Sequence, residues 1–131
     1  MDETFADVTP AARRRDAVTL LAMMREITGR DPVVDRGIVG FGTYHYRYAS
    51  GREGDAPAAA FAPRKAAMSI YLADGIDAHA EALAGLGPHT SGVGCLYVKD
   101  LEACDLDVLR GVIERSYRTA IAGITANPAR E

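Results

Sequence analysis

The chain has no tryptophan, only two cysteines, no long apolar run and no strong excess of either charge. Each shortage excludes something. Cys95 and Cys104 are too few for a disulfide framework and lack the paired spacing of a zinc site, so reduced thiols are expected. No stretch approaches the roughly 20 apolar residues that a membrane-spanning helix needs. The start, Met1-Asp2-Glu3-Thr4, is acidic and lacks the apolar core of a secretory signal. A cytoplasmic location with no membrane partner is therefore expected. A net charge of −3 supplies no global field that would draw the chain to nucleic acid. With 48% hydrophobic and 25% charged residues, the composition also argues against disorder.

What is present suffices for one folded domain, residues 1–131, with a core over about 9–126 and a loose C-terminal tail. Thr9-Pro10 reads as the N-cap and first position of a helix. Its apolar stripe is Ala17, Leu20, Leu21, Met24 and Ile27, and Gly29 with Asp31-Pro32 ends it. Arg13-Arg14-Arg15 near its start reads as a solvated face. Val33-Val34 and Ile38-Val39 then lead into Gly40-Phe41-Gly42. These glycines do not make a dinucleotide fingerprint, because a strand rather than a helix follows, and a tight turn or bulge is expected. In that strand Tyr44, Tyr46 and Tyr48 alternate with His45 and Arg47, which places the two sets on opposite faces.

Residues 50–55 read as a polar loop, and Met68-Ser69-Ile70-Tyr71-Leu72 as a strand. Asp74 is placed to cap a short helix over about 76–86, after which residues 88–92 form a loop. A strand over Val93-Gly94-Cys95-Leu96-Tyr97-Val98 follows. Leu106, Leu109, Ile113, Tyr117, Ala120 and Ile124 mark a long final helix, which Asn127-Pro128 ends. The acids Asp100, Glu102, Asp105 and Asp107 read as helix-start chemistry, and Glu114 with Arg118 as an i,i+4 pair.

Together these elements predict an α+β fold of two layers. A mostly antiparallel sheet carries N-terminal, short central and C-terminal helices on one face. Met68, Ile70, Leu72, Leu96 and Val98 belong to the covered face, and Ser69, Tyr71, Cys95, Tyr97 and Lys99 to the open one. A bulge at Gly42 would decide whether the tyrosines or His45 and Arg47 join the open face.

Several runs also carry a family likeness. They are Ile38-Val39-Gly40-Phe41-Gly42 with Tyr44-His45-Tyr46, Ser50-Gly51-Arg52-Glu53-Gly54-Asp55, Phe61-Ala62-Pro63-Arg64-Lys65, Ile70-Tyr71-Leu72, Leu86-Gly87-Pro88-His89 and Cys95-Leu96-Tyr97-Val98-Lys99. In this order, over about residues 12–116, the chain resembles the YdhG-like domain-of-unknown-function family, small bacterial α+β proteins. Where that family carries tryptophan-glycine before the glycines, this chain has Asp35-Arg36-Gly37. The resemblance implies the fold but no settled activity. Some relatives are labelled frataxin-like intracellular iron chaperones, which makes iron binding one alternative.

The residues themselves point to a non-enzymatic binding module for a small anionic or polar ligand or a partner peptide. Its expected surface combines Tyr44, His45, Tyr46, Arg47 and Tyr48 with Tyr71 and Tyr97, fringed by Arg52, Arg64 and Lys65. No cofactor or metal is expected, and the protein would be a monomer or homodimer. A second alternative is a small enzyme pairing His45 with Cys95. His79 and His89 read as solvated.

Overall fold

The computed structural model describes residues 5–47 and 50–123; Tyr48, Ile124 and Asn127-Pro128 lie outside them. Helix α1 (Ala11–Thr28) buries Ala17, Leu20, Leu21 and Met24, while Ile27 is half-buried. It begins one residue later than Thr9-Pro10 suggests: Pro10 is the extended N-cap, and no side chain caps the helix. Gly29 closes it, donating its N–H to the Arg25 carbonyl.

The sheet has six strands, all antiparallel, in the order β1-β2-β3-β4-β6-β5. These are β1 (Val33–Asp35), β2 (Ile38–Arg47), β3 (Glu53–Pro63), β4 (Met68–Tyr71), β5 (Thr90–Ser91) and β6 (Cys95–Val98). Between β4 and β5, a 3-10 turn (Asp77–His79) runs into helix α2 (Ala80–Leu83). Helix α3 (Leu106–Ile121) follows a second 3-10 turn. α1 and α3 pack against each other and across β2 and β3, over a core that includes Phe41, Phe61, Met68, Ile70, Leu96 and Val98. The fold is thus α+β, with a single open sheet and its helices over one face.

The central helix is shorter than the periodicity over 76–86 predicts. His79 leaves helical geometry at φ −121° and ψ 13°, with its ring drawn back to Asp74. The expected loop over 50–55 is also shorter, because Glu53, Gly54 and Asp55 pair with Arg47, Tyr46 and His45 and extend β3. Gly54 leaves room for a ring there: a Cβ at this position would sit 2.8 Å from the Tyr46 hydroxyl oxygen, so a larger residue would push that side chain aside. Thr90-Ser91, expected in a loop, forms the two-residue strand β5.

The β1–β2 hairpin turns through Arg36 and Gly37, at φ 55° and 81°. Both residues are left-handed, the geometry of a type I′ turn, which favours Asn or Gly at its first position. An arginine there costs about 1 kcal/mol in backbone strain. Gly42, at φ 70°, changes the phase of β2. Val39 and Phe41 are buried before it, and Tyr44 and Tyr46 after it. The change needs no inserted residue. Phe41 pairs with Ala59 and Thr43 with Pro57, so the register is the same on both sides of the glycine.

Candidate functional site

Gly42 decides what the hairpin offers. Beyond it Tyr44 and Tyr46 turn inward and become buried, while His45 and Arg47 remain exposed. Tyr44 reaches a hollow of about 260 Å³ beside the row in which Ala60 pairs with Tyr71 and Tyr71 with Cys95. Ala56 and Ala60 line it with methyl groups only, and Tyr44, Tyr71 and Ile38 stand around them. The adjoining larger arm, about 790 Å³, shares Ile38, Ala56 and Pro57 with the hollow and ends among Arg30, Asp31, Asp35 and Arg36. An apolar recess thus opens into a charged one.

Of the ten expected ligand contacts, the structure brings Tyr44 and Tyr71 to this hollow. Tyr97 lies at a separate recess of about 300 Å³ with His89 and Lys99. Tyr46 packs beside Tyr44, their ring centroids 6.4 Å apart. Arg52 and Lys65 are exposed, and Tyr48 falls outside the described residues. His45 and Arg64 lie at opposite ends of β3. His45 pairs with Asp55, and nine residues of strand at about 3.3 Å each separate Asp55 from Arg64. The Arg64 guanidinium lies instead by the β1–β2 turn, with Nη1 about 3.5 Å from where a Gly37 Cβ would be.

His45 is already partnered. Its Nδ1 lies 3.0 Å from Asp55 Oδ1 and its Nε2 2.8 Å from Glu53 Oε1, while Arg47 also reaches Glu53. These charges satisfy one another across the hairpin. The Asp55 hydrogen bond, followed by that from Glu53, raises the His45 pKa above its ordinary 6.5. Glu53 is lowered in turn, chiefly by His45 and then by Arg47. A raised histidine contributes stability that is complete below about pH 6.5 and is lost as pH rises through its folded value. Histidine ring resonances followed by NMR should therefore show His45 titrating above pH 6.5, and Asp55→Asn should bring the midpoint down. An unchanged midpoint in that variant would dissolve the clamp.

Cys95 lines the hollow and is partly buried. Burial pushes its thiol pKa up, against a smaller opposing effect of Tyr97, so the thiolate is disfavoured. His45 does not line this hollow. The Cys95–His45 pair that thiol catalysis needs is not assembled.

Two buried clusters depart from the sequence reading. Arg13, expected on a solvated face, is 3% exposed. It donates to the carbonyls of Arg64 (2.7 Å), Lys99 (2.6 Å) and Lys65 (3.3 Å). The run Pro63-Arg64-Lys65 thus contributes carbonyls here. His79, also expected in solvent, is buried and donates from Nε2 to Asp74 (2.9 Å), which accepts from Ser116 Oγ (2.7 Å) as well. Asp74 is therefore a junction rather than a helix cap. Serine, aspartate and histidine meet here, but the carboxylate is central and the serine proton points to it, so no base faces the hydroxyl.

The acids near α3 do serve helix starts. Asp100 accepts from the Glu102 N–H, and Asp105 from those of Asp107 and Val108. Asp100 and Glu102 also meet Arg15. Among the described residues, no group of three or more His, Cys, Asp or Glu side chains is placed to hold a metal ion, and no helix is long and apolar enough to cross a membrane.

No protein-family model, curated protein or solved structure matches the chain. Its class is therefore defined by architecture: an α+β domain whose open sheet is indented beside β3.

Proposed function

We propose that this protein is a binding module, not a catalyst, and that it holds a small polar ligand by an apolar end placed in the hollow between Tyr44 and Tyr71. The observation that carries this reading is the alanine lining. At Ala56 and Ala60 the side chains stop at a methyl group while their neighbours Tyr44 and Tyr71 do not, which leaves room beside flat ring faces. A dry, apolar cavity of about 150 Å³ accepts a benzene ring, so about 260 Å³ is ample for a substituted one. The pairing of His45 and Arg47 with Glu53 and Asp55 argues against a purely anionic ligand at the hairpin tip. The resemblance to the YdhG-like family implies no settled activity, and the alternative it brings is the binding of iron.

Phenol is a suitable probe. Titrated into labelled protein, it should shift the amide resonances of Ala60, Tyr71 and Cys95. Ala60→Leu, which places a branched side chain in the recess, should weaken that response at least tenfold. Equal binding by the variant, or shifts confined to the tip around His45, would overturn the assignment.

A further inference from the structure

The arm that leaves the hollow carries charges of both signs. Arg30, Asp31, Asp35 and Arg36 line it, and none makes an ion pair with another described side chain. Asp55 lines it too but is bridged to His45. The remaining two carboxylates and two guanidiniums balance. A phosphate or simple carboxylate entering here would meet as much repulsion as attraction. A head group carrying both an ammonium and a carboxylate would find a partner for each.

Arg36 adds a second, independent observation. It occupies a left-handed turn position (φ 55°) where asparagine or glycine would be unstrained. The turn dictates that conformation, and an arginine retained in it at the mouth of a recess is a candidate for function. Its guanidinium is the one cation of the arm whose backbone geometry works against stability.

Resting on the binding-module reading above, we infer that the ligand is an aromatic α-amino acid, with its ring in the Tyr44–Tyr71 hollow and its zwitterionic head in the arm lined by Arg30, Arg36, Asp31 and Asp35. The shared lining at Ile38, Ala56 and Pro57 joins the two compartments, so one molecule can occupy both.

Calorimetry and amide shifts with L-phenylalanine, phenethylamine and hydrocinnamate test this. Phenylalanine should bind, and each analogue, lacking one of the two head charges, should bind at least tenfold more weakly. Arg36→Gly should lose at least fivefold in phenylalanine affinity while its unfolding midpoint rises, because glycine relieves the turn. Equal binding of either analogue, or undiminished binding by Arg36→Gly, overturns the inference. If phenylalanine leaves the spectrum unmoved while phenol still shifts Ala60 and Tyr71, the zwitterion assignment fails and the hollow stands. If neither probe shifts them, both fall.

Discussion

Replacing Arg13 with alanine is expected to cost about 3 kcal/mol or more of folding stability, as much as truncating a core side chain. The guanidinium is buried and spans three carbonyls from two separate places: Arg64 and Lys65 after β3, and Lys99 after β6. It therefore pins α1 to one end of the β4–β6 pair, where Met68 lies opposite Val98. Hydrogen bonds to a charged donor contribute about 1.5–3 kcal/mol each, and truncation also leaves the acceptors to find water in a closed space. Water entry will recover part of the sum, hence the lower figure. Arg13→Lys should restore only a fraction, since one ammonium cannot reproduce the planar fork that meets carbonyls on diverging lines. Arg14→Ala, on the exposed neighbour, should stay within about 0.5 kcal/mol. Urea denaturation of the four proteins is the measurement. A loss below about 1 kcal/mol for Arg13→Ala would mean that α1 docks through its apolar stripe alone.

The contrast between Arg13 and that stripe shows which parts of the molecule can be read from the chain. Periodicity exposes anything whose role depends on its own element. Leu109, Ile113, Tyr117 and Ala120 recur at helical spacing and are all buried on α3. Met68 and Ile70 alternate with Ser69, as Leu96 and Val98 do with Tyr97, and the covered face follows from that. Arg13 obeys no such rule. Its partners lie 51, 52 and 86 residues away, and they are carbonyls, which every residue possesses. His79 is hidden differently: its partner Asp74 is only five residues away, but its burial and the arrival of Ser116 at Asp74 come from packing. The hollow is harder still, because it consists of what Ala56 and Ala60 lack, and small residues in a row announce nothing by themselves. Gly42 was legible as a place where phase could change. The outcome, with both Phe41 and Tyr44 buried and no residue inserted, depends on a backbone angle that its sequence context leaves open. The hairpin tip shows the converse: Tyr44, His45 and Arg47 form a run of polar tips, yet the strand splits them between a recess and an ion-pair clamp.

The second large effect is expected at Asp74. Its carboxylate accepts from Ser116 on α3 and from His79 at the end of the 3-10 turn, so one side chain ties the corner after β4 to two helical elements. The His79 side chain is 4% exposed and that of Asp74 is 11% exposed, so water competes poorly for either donor. Asp74→Ala strands both, and at about 1–3 kcal/mol for each unsatisfied buried group the loss should be about 2–4 kcal/mol. Ser116→Ala alone removes one donor along with its need and should cost about 1 kcal/mol. The two changes should not add. Once Ser116 is gone, Asp74→Ala strands only His79, so the double variant should be less destabilised than the sum by about 1 kcal/mol. Asp74→Asn discriminates further. With its amide oxygen in the place of Oδ1 it can still accept from both Ser116 and His79, but the NH₂ group in the place of Oδ2 then faces His79 Nε2 as a second donor, so it should fall between wild type and alanine. Urea melts of the four members of the cycle settle the coupling. Additivity within a few tenths of a kcal/mol would show that Ser116 and Asp74 are not coupled, and that α3 is held at this corner by Leu83, Leu86 and their apolar neighbours instead.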